Sequence, residues 1–97
     1  GYTGGELVTK PLTFEGNRLI LNVDTSAGGS VRVEFTQPDG EPIKGFTLGD
    51  ADEINDNSVR APATWNGRAD IPAIEGKPVC LRFVMRSCKL YSFQFSA

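Results

Sequence analysis

At 97 residues, with 10 basic and 12 acidic side chains, a net charge of −2 and no histidine, the chain is sized for one domain that buries roughly 60–70% of its unfolded surface. That balance argues against a nucleic-acid binder with a strongly basic face, and without histidine no Ser-His-Asp triad or Cys-His pair can form within the chain. No apolar run approaches the roughly 20 residues of a membrane-spanning helix. The chain opens Gly1-Tyr2-Thr3 and its one methionine is Met85, so the expectation is a domain excised from a larger protein.

In chain order, residues 7–14 read as a first strand. Pro11 lacks a ladder donor, which makes this an edge or a broken strand. Residues 15–17 turn the chain into residues 18–23, where Leu19, Leu21 and Val23 alternate inward. After the turn 27–29, residues 30–36 set Val31, Val33 and Phe35 on one face and Arg32 and Glu34 on the other, the pattern of a half-buried strand. Pro38-Asp39-Gly40 supplies a tight turn. Residues 42–48 read as a short strand interrupted at Gly45. Residues 49–57 carry four carboxylates and one large apolar side chain, Ile54, and read as a loop. Residues 58–65 resume alternation, with Val59, Ala61, Ala63 and Trp65 on one face and Pro62 on the other. Residues 70–75 suggest a brief helical turn, with Pro72 early and Gly76 after it.

The strongest pattern is residues 79–95. Val79, Leu81, Phe83 and Met85 share one face, with Cys80, Arg82, Val84 and Arg86 on the other; Tyr91, Phe93 and Phe95 then alternate with Ser92 and Gln94. A hairpin with the three-residue loop Ser87-Cys88-Lys89 would keep both apolar faces together, pairing Met85 with Tyr91, Phe83 with Phe93 and Leu81 with Phe95. Cys80 within a strand and Cys88 at its tip would lie roughly 26 Å apart, so two free thiols are expected. Short strands at regular spacing, with Gly and Pro between them, predict a single all-β domain, an antiparallel β-sandwich of jelly-roll or immunoglobulin-like architecture; a small barrel is the alternative.

The segments G-G-E-L-V-T-K-P-L-T-F-E-G-N-R-L-I-L-N-V, P-I-K-G-F-T-L, A-T-W-N-G and G-K-P-V-C-L-R-F, with L-Y-S-F-Q-F at the end, occur in the order found in a C-terminal module of bacterial proteins, common in planctomycetes and marine sequences. Nearly the whole chain resembles that module, which follows catalytic regions of glycoside hydrolase family 32-like proteins. The resemblance implies a β-sandwich beside a sugar-active enzyme, in a secreted or periplasmic protein, with a polysaccharide or oligosaccharide and the neighbouring catalytic domain as partners. It brings no binding-residue motif. Two roles follow: a non-catalytic carbohydrate-binding-like accessory domain, or a structural module that packs on and stabilises its catalytic neighbour.

A glycosidase needs two carboxylates about 5–10 Å apart with one pKa raised, and a hydrophilic loop would leave Asp50, Asp52, Glu53 and Asp56 all ionised; an enzyme is therefore not expected. The same loop has a calcium reading, with Asp50, Asp52 and Asp56 as hard oxygen ligands for a structural ion. Its spacing does not fit an EF-hand, and a solvated acidic loop is the plainer reading. A sugar platform needs an exposed aromatic ring. Trp65 and Tyr91 are the candidates, although both share the register of core residues; Tyr2 is placed in a loose N-terminus. Arg82 and Arg86 share an outward strand face and could grip an anionic polysaccharide or a neighbouring domain.

Overall fold

The most strongly alternating stretch becomes one strand rather than two. The computed structural model describes residues 2–25, 28–55, 57–71, 74 and 76–96, and for residues 2–4 the backbone alone. Its strands are β1 (Tyr2–Val8), β2 (Arg18–Asp24), β3 (Ser30–Thr36), β4 (Ser58–Pro62) and β5 (Cys80–Ser96). All pair antiparallel in one five-stranded sheet of order β1-β5-β2-β4, with β3 also on β5. The all-β expectation holds. The terminal hairpin does not, because β5 runs through residues 87–89 and takes its partners from elsewhere. β1 lies along one edge, from Val8–Arg82 to Tyr2–Leu90. Along the other edge come β3, from Thr36–Cys80 to Ser30–Arg86, and then β2, from Asp24–Lys89 to Arg18–Ser96. Long-range partners thus satisfy backbone groups on both edges of β5, where a two-stranded hairpin would satisfy one.

β5 is sharply bent. Ten residues of straight strand span about 33 Å, yet the rings of Phe83 and Phe93 lie 5.5 Å apart. The contact foreseen for a hairpin is made, but by folding the strand over. Ser87, at φ 47°, occupies the left-handed region in the middle of this bend. A Cβ on Gly29 would sit 2.3 Å from the Ser87 carbonyl oxygen and 2.6 Å from that of Thr25, so glycine lets β3 begin against the bend. Gly16 plays the same part at the far end of β5: its φ is 109° and a Cβ there would sit 2.7 Å from the Ser96 carbonyl oxygen.

The core follows the alternation of β2, β3 and the first arm of β5. Leu19, Leu21, Val31, Phe35, Leu81 and Phe83 are fully buried. Trp65 is also fully buried, its ring centroid 5.4 Å from those of both Phe35 and Phe46. Its indole N–H donates to the Val33 carbonyl at 3.0 Å, satisfying the one polar group that burial would otherwise strand. Both cysteines are free and buried.

Other boundaries differ from expectation. The first strand is residues 2–8, so Tyr2 lies in a paired strand. Beyond it Leu12 alone makes a bridge, to Val79, just past the proline that lacks a donor. Residues 42–48 form a turn rather than a strand: the Phe35 N–H donates to the Phe46 carbonyl (3.0 Å) and the Ile43 N–H to that of Phe35 (3.0 Å), with Gly45 at φ 90°. Val59, expected inward, is 73% exposed. Ile74 and Ile71, three apart, are buried, and the Ile74 N–H bonds the Ile71 carbonyl at 3.4 Å; Pro72 lies outside the described residues.

Candidate binding surface

The acidic loop folds back on the turn that follows Trp65. Asp50 Oδ2 accepts from the Thr47 hydroxyl at 2.9 Å and the Thr47 N–H at 3.3 Å, and its Oδ1 accepts from the Asn66 amide at 3.2 Å. Asp52 Oδ2 accepts from the Thr64 hydroxyl and the Gly67 N–H, both at 2.7 Å. The Thr47 hydroxyl, then its N–H, holds the Asp50 carboxyl below the usual range; the Thr64 hydroxyl, then the Gly67 N–H, does the same for Asp52. Hydrogen bonds to the charged form lower a carboxyl pKa. The two side chains staple residues 47–52 to residues 64–67, so much of their acceptor capacity is spent on the protein. Asp56, the third calcium candidate, lies outside the described residues. Among the described residues no three His, Cys, Asp or Glu side chains cluster to hold a metal.

The remaining candidates part company. Trp65 offers no exposed face, because its ring is the centre of the aromatic core. Arg82 is engaged on both sides: its Nε donates to Glu6 and its Nη1 to Glu34 at 3.0 Å. Glu34 is 4% exposed and its Oε2 also accepts the Leu48 N–H at 2.8 Å. These carboxylates, Glu6 first and then Glu34, push the Arg82 guanidinium above its ordinary value. Arg82 therefore ties β1 and β3 together across β5 and has no free fork for a ligand. Arg86, one turn of the pleat past Val84, is exposed.

Tyr91 turns outward because β5 carries a bulge. Val23 pairs with Leu90 and Asn22 with Ser92, so Tyr91 is an extra residue that breaks the alternation. Leu90 is buried in its place and Tyr91 is 52% exposed. A second bulge faces the first. Leu21 pairs with Ala61 and Val23 with Ser58, leaving Val59 and Arg60 opposite the same Asn22. Two bulges thus meet across one residue, and they display Tyr91 and Val59 about two strand spacings apart, roughly 10 Å. Ser92 and Gln94 are exposed on the same stretch of β5. Strict period-two reading of the sequence misses this ridge, since a bulge inverts the faces downstream of it.

Two shallow polar grooves share a wall, and the larger takes in Ser58 and Arg60, the residues on either side of Val59. One, of about 390 Å³, is lined by Glu53, Asn55, Ser58, Arg60 and Thr64 among others. The second, of about 300 Å³, is lined by Ser30, Arg32, Glu53, Val84, Met85 and Arg86. Glu53 belongs to both, and its carboxylate stands 3.6 Å from the Arg32 guanidinium, each side chain about half exposed (45% and 49%). Comparison with protein-family models, with curated proteins and with solved structures gave no match to this chain.

Proposed function

We propose that the chain is a non-catalytic accessory domain of β-sandwich architecture that binds carbohydrate through the ridge centred on Tyr91. The observation that carries this reading is a half-exposed aromatic ring set out by a bulge, beside the amide and hydroxyl groups of Asn22, Ser92 and Gln94. An exposed ring offers a face to the axial C–H groups of a sugar, and the flanking side chains can both donate to and accept from its hydroxyls. Contact between Phe83 and Phe93 on the two arms of one strand supports two opposed sheet faces, as in a sandwich. A non-catalytic role is supported by Asp50 and Asp52, whose pKa values are lowered, the reverse of what a general acid requires. The resemblance to modules of glycoside hydrolase family 32-like proteins supplies the setting, a secreted or periplasmic protein with a catalytic neighbour.

The test is affinity gel electrophoresis of the folded chain in inulin, laminarin and carrageenan, with wild type beside Tyr91→Ala. Retardation by at least one polymer, lost in Tyr91→Ala, is the expected result; no retardation by any polymer would sink the reading. A second reading, docking on a catalytic neighbour, is favoured by the 73% exposure of Val59 and the 55% exposure of Val8. It predicts that Val59→Asp lowers the thermal stability of the full-length parent and leaves that of the isolated domain unchanged.

A further inference from the structure

We infer that the two polar grooves form one track for an anionic polysaccharide, with Arg60, Arg32 and Arg86 as its cationic contacts and the Tyr91 ridge at one end. This deepens the proposed function and rests on it. The grooves are joined by a shared residue, Glu53, and Arg60 lies at once in the bulge opposite Asn22 and in the larger groove. Register fixes the other end: on the outward face of β3 and β5, Arg32 pairs with Val84 and Ser30 with Arg86. The lining of the two grooves includes three guanidinium groups and, as its one carboxylate among the described residues, Glu53.

A chain with net charge −2 therefore gathers a cationic surface along one path, while the neighbouring Arg82 is neutralised by Glu6 and Glu34. The Glu53–Arg32 contact is long and half-exposed, a geometry worth little in water. A carboxylate or sulfate group on a ligand can replace Glu53 at Arg32, with the planar fork favouring two parallel hydrogen bonds. The low net charge and the hydroxyl and amide groups lining the track favour a polysaccharide over a nucleic acid, which needs a much denser cationic surface.

The experiment measures retardation in gels containing polygalacturonate (carboxylate), carrageenan (sulfate), laminarin (neutral) or single-stranded DNA. It compares the wild-type chain with Arg60→Gln, Arg86→Gln, Glu53→Gln and a control of equal charge change outside the track, Arg18→Gln. The expected result is binding to one or both acidic polysaccharides that falls about tenfold in Arg60→Gln and in Arg86→Gln, holds in Arg18→Gln, rises severalfold in Glu53→Gln and weakens with salt. Which acidic polymer binds distinguishes carboxylate from sulfate. Equal loss in Arg18→Gln, or stronger retardation by DNA than by either acidic polysaccharide, would overturn the inference. Binding to laminarin without preference for the charged polymers would overturn it too while leaving the carbohydrate reading intact. Retardation by none of the polysaccharides would remove both.

Discussion

The two arms of β5 are written in much the same residue alphabet but end in opposite circumstances. In the first arm, residues 80–86, the inward side chains Leu81 and Phe83 are fully buried and the outward Arg82 is locked between Glu6 and Glu34. In the second arm, residues 89–96, Phe93 and Phe95 are partly buried, and the outward side presents Tyr91, Ser92 and Gln94 to solvent. The first arm has partners on both edges, β1 and β3; past Leu90 the second, among the described residues, is paired with β2 alone. Enclosure on both edges buries the side chains of one arm, while a bulge in the other turns Tyr91 to solvent, where the proposed binding ridge would lie.

The largest test of that contrast is truncation of the two contacting rings. Phe83→Ala should cost about 3–5 kcal/mol and Phe93→Ala about 2 kcal/mol, because the latter ring is only partly removed from water. Denaturant unfolding of both variants measures the gap, and equal losses would break the distinction between the arms. On the outward side, Arg82→Met leaves the buried Glu34 carboxylate without its cation and should cost about 3 kcal/mol. Arg86→Met, at an exposed position, should stay within about 0.5 kcal/mol of wild type.

The joint between the arms gives two smaller effects. Burial, with Asp24 as a lesser contributor, pushes the Cys88 thiol up from its ordinary value. The folded state then holds this proton more tightly than the unfolded state does. The associated stability is complete below the unfolded thiol pKa of about 8.5 and declines as pH rises through and beyond it. Melting temperature should therefore fall on the alkaline side, and Cys88→Ala should flatten that limb. Smallest of all, Ser87→Gly should gain about 0.5 kcal/mol, since glycine enters the left-handed region without a Cβ clash but loses more chain entropy. A loss there would mean that the Ser87 side chain contributes more to the bend than its backbone strain costs.

Much of the core was legible in the sequence, because alternation in residues 18–23 and 30–36 and in the first arm of β5 reports burial directly. Trp65 was legible too: small alanines at positions 61 and 63 mark a core face. What failed did so for two physical reasons. Pairing depends on distant segments, so a stretch that could close as a hairpin instead recruited β1, β2 and β3. Bulges change phase without a residue signature, so Tyr91 and Val59, inward by parity, came to face solvent. Glu34 and Arg82 were each placed on the strand face opposite the apolar one, but alternation gave no sign that Glu34 is buried at 4% exposure; the register that sets the two opposite each other makes them a clamp.

The measurement that tests the account most directly is amide chemical-shift mapping of the ¹⁵N-labelled chain against increasing laminarin, polygalacturonate and carrageenan. The shifted amides should cluster at Asn22, Val59, Arg60, Tyr91 and Ser92, extending to Arg32 and Arg86 with the acidic polymers, while those of Arg82 and Glu34 stay still. Shifts centred on the Arg82 clamp, or none at all with the folded chain at saturating polymer, would contradict it.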